Sequence, residues 1–235
     1  MAGGLLTALL WKENRAESSN SSWKPSIREA VDVVKGDPKI MLVGGVQSLF
    51  EAAMYIFVLQ WPPAIAKAVV KAFGSGSATP YGTVFSCFMA SCLLGSTLFG
   101  QLAKMGVATE ESASSMLSVA TLAMTAATYT VSSTSPTIGM SLAGLMASFF
   151  AFEACVGMYF PSIGTLRSKY VPDSHRSVIM NLFGIPLNLL VVSVFLSTHR
   201  LGLKGALTVS SGALGVATLC MFKLRSMTTG REATA

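Results

Sequence analysis

Six long apolar runs constrain the fold of this chain more than any other feature of its sequence. They are Ile40–Trp61, Tyr81–Ala103, Ser114–Ser133, Thr137–Phe160, Ser177–Thr198 and Gly205–Leu224. Each has about 20 to 24 residues, which at ~1.5 Å per residue matches a hydrocarbon core of about 30 Å. Because a backbone in lipid must satisfy its own hydrogen bonds, we predict an all-α membrane protein with six transmembrane helices. The third run is rich in Ser, Thr and Ala, so it should insert only beside other helices.

The composition agrees with a membrane protein. Hydrophobic residues make up 51% of the chain and charged residues 12%, whereas a soluble domain carries about 25% charged residues. The net charge of +6 does not indicate a nucleic-acid partner, because the basic residues lie between apolar runs instead of clustering on a polar surface. We therefore expect membrane lipid, and no nucleic acid, around this chain.

The regions outside the apolar runs divide the chain further. We expect residues 1–11 to be the end of a preceding transmembrane helix, 12–38 a cytoplasmic linker, 39–224 the six-helix bundle, and 225–235 a cytoplasmic tail. Within the linker, Ile27, Val31 and Val34 are spaced for one face of a short surface helix. Gly36 and Pro38 should end that helix.

The basic residues predict the orientation. With six spans both termini lie on one side, and that side carries 13 of the 17 basic residues. They are Lys12, Arg15, Lys24, Arg28, Lys35, Lys39, Lys104, Arg167, Lys169, Arg176, Lys223, Arg225 and Arg231. The other side has Lys67, Lys71, Arg200 and Lys204. The positive-inside bias places both termini in the cytoplasm of a multi-pass protein, which we expect in the cell membrane.

The sequence lacks the constellations typical of enzymes. The four cysteines lie inside apolar runs, and the two histidines lie far apart in loops (Cys87, Cys92, Cys155, Cys220, His175 and His199). The glycine-rich stretch "GSGSATPYG" lacks the Lys-Ser/Thr ending of a phosphate-binding loop. We expect no enzyme activity, no catalytic residue, no cofactor and no metal.

Two acidic residues, Glu51 and Glu153, lie near the middle of apolar runs. A charge at this depth costs at least ~2.5 kcal/mol and marks a candidate functional site. Without a basic partner, at least one of the two should be protonated near neutral pH. Polar side chains accompany them at helical spacing. The candidate transport-path residues are Gln47, Glu51, Tyr55, Glu153, Asn181 and Asn188. Hydrogen bonding between helices is the alternative role for these groups.

A basic loop, "TLRSKYVPDSHRS", is predicted between the fourth and fifth spans on the cytoplasmic side. Arg167 and Arg176 are candidate cytoplasmic gate residues, each pairing with acids of a neighbouring loop in one state. The alternative is that this loop only sets topology and contacts lipid headgroups.

Three stretches carry a family resemblance: "GGVQSLFEAAMYIFVLQWPPAI", "FSCFMASCLLGSTL" and "EACVGMYFPSIGTLRSKYVPDSHRSVIMNLFGIPLNLLV". They resemble the molybdate-anion transporter family of the major facilitator superfamily. The resemblance covers residues 39–224 and corresponds to the seventh to twelfth helices of that family. It implies transport of an oxyanion such as molybdate by alternating access, this chain supplying the carboxy-terminal half. The partner would be a separate or missing amino-terminal six-helix half.

The resemblance has one departure that bears on the substrate. The family pattern places an arginine before the Ile-Pro pair of the fifth span, where this chain has Gly184. With no Lys or Arg predicted at mid-depth in any span, we expect the cations for an oxyanion to come from the other half. The alternatives are a half-transporter that acts only as a partner or is inactive, and an unrelated six-span carrier or channel.

Overall fold

The computed structural model describes residues 23–132 and 141–232. Seven helices form in these ranges. They are α1 (Trp23–Gly36), α2 (Pro38–Phe73), α3 (Tyr81–Lys104), α4 (Thr109–Ser132), α5 (Leu142–Tyr170), α6 (Arg176–Leu196) and α7 (Thr198–Glu232). The predictions for residues 1–22, 133–140 and 233–235 lie outside the described residues.

Five of the helices, α2, α3, α5, α6 and α7, are long and apolar enough to cross a membrane. The helix of the third predicted span, α4, has 24 residues and is not among the five. The Ser and Thr side chains of α4 make it less apolar than the five. Their hydrogen bonds also show how α4 can lie in apolar surroundings. Ser114, Ser118 and Thr121 each donate to a carbonyl one turn back, so their hydroxyls carry their own acceptor. The chain is an integral multi-pass membrane protein, and five of its described helices are long and apolar enough to be spans.

Helices α2 and α5 continue past prolines at which their predicted spans ended. The first apolar run ends at Trp61, but α2 has 36 residues and continues through Pro62 and Pro63 to Phe73. The fourth run ends at Phe160, but α5 continues nearly three turns to Tyr170. Both predictions stopped where prolines or polar residues begin. A proline removes one helical hydrogen bond but does not end a helix that packing supports on both sides.

Of the last two helices, α6 is close to its prediction and begins one residue before the predicted start. α7 is longer than predicted at both ends, because it begins at Thr198 instead of Gly205 and continues past Leu224 to Glu232. Gly202 breaks it with a φ of 59°. That conformation suits a residue without Cβ. The one-turn segment before Gly202 therefore changes direction before the main part of α7 enters the bundle.

The bundle is centred on α2 and α5. α2 packs against α5, α6 and α7, while α5 packs against α2, α3 and α4, and α4 also packs against α7. An aromatic core fills the space between α2, α3 and α5. It consists of Phe50, Phe57, Phe88, Phe149, Phe152 and Tyr159, all buried. α3 and α6 lie at the two edges and expose most of their apolar side chains.

The predicted linker helix is present as α1. It ends at Gly36, and Asp37 caps the start of α2 by accepting a 2.8 Å hydrogen bond from the Lys39 amide. Ala30 is fully buried in a small apolar cluster with Val171 and Ile179. α1 therefore packs on the loop between α5 and α6 and on the start of α6.

Candidate functional site

Arg167 lies on helix α5, not in the predicted loop, and its side chain reaches α2. Its Nε donates a 3.0 Å hydrogen bond to Oε1 of Gln47. Its Nη2 donates to Oε1 of Glu51 at 3.1 Å and forms an ion pair with that carboxylate. The extension of α5 past Pro161 makes this possible, because it holds Arg167 at the α2–α5 contact.

Tyr159 completes the cluster, and sequence reasoning missed it. Its hydroxyl donates a 3.0 Å hydrogen bond to Oε1 of Glu51, and its ring stacks on Phe50 with centroids 4.0 Å apart. Tyr159 and Arg167 are two helical turns apart on one face of α5, and Gln47 and Glu51 are one turn apart on α2. That matching spacing is the signal from which the pairing could have been predicted. We call these four residues the α2–α5 polar cluster.

The polar cluster corrects the expectation that the mid-span acids have no basic partner, because Arg167 reaches Glu51 from the last part of α5. The Glu51 and Arg167 side chains are 19% and 27% exposed, so the pair is partly desolvated but still reachable. Losing one partner of such a pair leaves an uncompensated charge, which is strongly unfavourable. The guanidinium carries five N–H donors in a planar fork. With Nε and Nη2 bound to α2, it keeps donor capacity for an anion that approaches from the exposed side.

The other transport-path candidates lie apart from this cluster. Tyr55 is 48% exposed, one turn beyond Glu51. Asn181 and Asn188 are on one face of α6 and line an open cavity of about 460 Å³. The Asn188 amide donates to the Gly184 carbonyl of its own helix at 2.7 Å. The two asparagines therefore share a face of α6, but the described hydrogen bond of Asn188 is local to that helix.

Helix α6 contacts α2 beside the polar cluster, one turn before Pro186, which lies inside the helix. The Phe183 ring lies over Gly44, where a Cβ would come within about 2.0 Å of it. The Ser48 hydroxyl donates a 2.7 Å hydrogen bond to the Phe183 carbonyl. The Ser48 hydrogen bond therefore adds a second, polar contact between α2 and α6. This contact holds α6 one turn from Gln47 and Glu51.

Glu153 is placed differently from Glu51. It is 7% exposed and lies at the α3–α5 contact, one turn before Gly157. In the described part of the chain, its carboxylate has no hydrogen bond or ion pair. Both acids were expected to lack a basic partner. Among the described residues this is so for Glu153 and wrong for Glu51.

The second gate candidate, Arg176, does not join Arg167. Its guanidinium pairs with Asp173 in the preceding turn and donates to the Val171 carbonyl at 3.2 Å. Arg167 pairs with an acid on a helix, not with a loop acid as predicted. The two arginines therefore occupy separate sites.

A second carboxylate–cation–tyrosine group lies at the end of α5. Lys169 Nζ and the Tyr170 hydroxyl bind Oε1 of Glu110 on α4, at 2.6 Å and 2.5 Å. Burial on its own would raise the pKa of Glu110, but the hydrogen bonds from Lys169 and Tyr170, a backbone hydrogen bond and the charge of Lys169 together lower it. Arg225 of α7 binds Glu111 beside it at 3.1 Å. Ionised Glu110 thus ties α4 to α5.

Comparisons with known proteins identify the family. Residues 3–152 match the major facilitator superfamily family described as sugar transporters with 12 transmembrane segments. The chain belongs to this family of the major facilitator superfamily. Three curated relatives are molybdate-anion transporters. The Takifugu rubripes protein is 31% identical over 77% of this chain and 36% of its own length. The Danio rerio protein is 33% identical over 73% of this chain and 34% of its own length. The Xenopus tropicalis protein is 28% identical over 92% of this chain and 46% of its own length.

The resemblance to the molybdate-anion transporters is thus confirmed across most of the chain. The chain spans less than half the length of each of these relatives. No solved structure matches it significantly.

Proposed function

We propose that this chain takes part in transport of a small oxyanion, molybdate, across the cell membrane. The observation that carries the proposal is the guanidinium of Arg167 in the α2–α5 polar cluster. A guanidinium binds planar and tetrahedral oxyanions through paired N–H donors. Here the Arg167 side chain lies at the contact of two apolar helices and is 27% exposed, so an anion can reach it. The names of the curated relatives support molybdate as the anion.

Alternating access is the mechanism we propose, with this chain as the carboxy-terminal six-helix half. α4, the third span in chain order, would bring the number of spans from five to six, because it packs along α5 and α7. Its Thr121 and Thr125 hydroxyls pair with Thr218 and Ser211 of α7 at 3.0 Å and 2.6 Å. Such pairs satisfy polar groups between helices. An amino-terminal half would cover the exposed side of α3, α5, α2 and α6, which includes the polar cluster.

The arrangement of basic residues supports the proposed orientation. Contacts bring the ends of α5 and α7 to the start of α4, through Lys169 with Glu110 and Arg225 with Glu111. Lys39, at the start of α2, lies 5.8 Å from the centre of the Tyr170 ring. One end of the bundle therefore carries basic side chains from several helices. We assign this end to the cytoplasm.

Uptake of radiolabelled molybdate by cells tests the function. The full chain would be expressed alone and together with the amino-terminal half of a curated relative, in cells with low background uptake. We expect uptake above the vector control in at least one arrangement, with competition by tungstate and none by glucose. No uptake in either arrangement, or competition by glucose alone, would contradict the proposal.

A further inference from the structure

Glu51 is the anion that Arg167 binds in the absence of substrate. Its Oε1 lies 3.1 Å from Arg167 Nη2 and also accepts the hydroxyl of Tyr159. A tetrahedral oxyanion offers the same kind of acceptor to the same guanidinium fork. Because both are negative, they cannot share this cation at low cost in surroundings of low dielectric. Glu51 and the oxyanion are thus competitors for Arg167.

We propose that the oxyanion displaces Glu51 from Arg167, and that Glu51 takes up a proton from water as it leaves. This rests on the proposed function of anion transport. The charges decide the step. The Glu51–Arg167 pair is neutral in sum, so a dianion added alone would leave two net negative charges between α2 and α5. With a proton on Glu51 only one remains. A carboxylate that has lost its cation away from water is protonated rather than left ionised.

Tyr159 prepares the site for the protonated form. Its hydroxyl donates to Glu51 Oε1, and a protonated carboxyl group keeps an oxygen that accepts this hydrogen bond. The stack of the Tyr159 ring on Phe50 fixes the hydroxyl in place. Tyr159 is therefore a positioning residue, since Glu51 retains one partner after Arg167 turns to the anion.

The surroundings of Glu51 contain few other charges that would mask this effect. In the described ranges, the titratable groups bound to Glu51 are Arg167 and Tyr159, both from α5. The hydrogen bonds that α6 and α7 make to this stretch of α2 come from uncharged groups. They join Ser48 to the Phe183 carbonyl, and the Ser210 hydroxyl to the Ala53 carbonyl. Glu153, the other mid-span carboxylate, lies at the α3–α5 contact, so a pH dependence of anion affinity is assigned to Glu51 only where Glu51→Gln removes it.

Equilibrium binding of molybdate tests the coupling. The full-length chain would be purified in lipid nanodiscs and titrated with molybdate between about pH 6 and pH 8, where linkage of one proton predicts an affinity that falls about tenfold per pH unit. Glu51→Gln carries a neutral side chain at all pH values, so its affinity should be independent of pH. The matched control is Glu110→Gln, since Glu110 is also bound by a cation and a tyrosine of α5. Glu110→Gln should show the same change of molybdate affinity with pH as the wild type.

A second measurement covers the case in which Glu51→Gln does not fold. Molybdate added to the wild-type protein in weakly buffered solution should remove about one proton from solution per anion bound. Binding without proton uptake, a pH-independent wild-type affinity, or a wild-type slope in Glu51→Gln would each overturn the coupling and leave anion transport standing. Absence of molybdate binding at every pH would contradict the proposed function, and the coupling with it.

Discussion

The close contact of α3 and α5 predicts a large effect from adding a single methyl group. A Cβ built on Gly157 would lie 1.8 Å from the carbonyl oxygen of Cys92, and one on Gly95 would lie 1.8 Å from that of Ala154. Ordinary contacts of a Cβ begin near 3.4 Å. Gly157→Ala therefore forces the two backbones apart by more than an ångström, because the clash is with backbone and no rotamer relieves it. Overpacking of this kind costs typically about 1 to 3 kcal/mol.

Two further glycines supply matched controls for this substitution. Gly164 on α5 and Gly100 on α3 have no heavy atom within 4 Å of a built Cβ. Alanine there should stabilise by up to about 1 kcal/mol, from helix propensity. Thermal unfolding of the purified chain in detergent would measure the alanine variants of the contact glycines and of the control glycines. We expect Gly157→Ala and Gly95→Ala to lower Tm by about 2 to 12 °C, at ~2–4 °C per kcal/mol. Equal Tm values for Gly157→Ala and Gly164→Ala would refute the contact geometry.

Two other predictions concern contacts around the site. Glu110→Gln should destabilise the bundle by about 2 kcal/mol at neutral pH, because charged hydrogen bonds from Lys169 and Tyr170 are weakened. Since the pKa of Glu110 is lowered by folding, the wild-type advantage is present above the unfolded pKa and is lost as pH falls through the folded pKa. Unfolding curves that show the same difference at neutral and strongly acidic pH would contradict this. Ser48→Ala should lower the free energy of unfolding by about 1 kcal/mol. Ser48→Thr keeps a hydroxyl and should lose less, as measured in the same unfolding assay. An unchanged Tm for Ser48→Ala would show that the bond to Phe183 contributes nothing.

The apolar runs predicted most of the fold because lipid leaves few alternatives. A run of about 20 apolar residues in a bilayer can only be a helix, and each of the six runs falls largely within a helix. Helix ends were predicted less well, because packing sets them as much as composition does. Pro62 and Pro63 do not end α2, because the neighbouring Trp61 packs against Phe88 of α3, with ring centroids 5.2 Å apart. Long-range contacts of this kind leave no local sequence signal.

The polar cluster shows where sequence reasoning on the site succeeded and failed. Glu51 and Gln47 were predicted as candidates from their depth and spacing, and the structure places them together. Arg167 was predicted to lie in a loop, because the polar residues after Pro161 look like the end of a span. Tyr159 was not predicted at all, since an aromatic residue in an apolar run normally reads as core. Its partner is an acid 108 positions earlier in the chain, and such a pairing appears only once the helices are placed.

The most direct test of the account is molybdate uptake by Arg167 variants. Arg167→Gln removes the cation, and the double variant with Glu51→Gln also removes the unpaired acid, so that folding is restored while the cation stays absent. Lys169→Gln, on the same helix, is the control. Loss of a charged contact worth about 2 to 5 kcal/mol predicts at least about a tenfold loss of uptake in both Arg167 variants. Lys169→Gln should retain uptake. Wild-type uptake by the double variant, at equal amounts of protein in the membrane, would contradict the role of Arg167 as the anion contact.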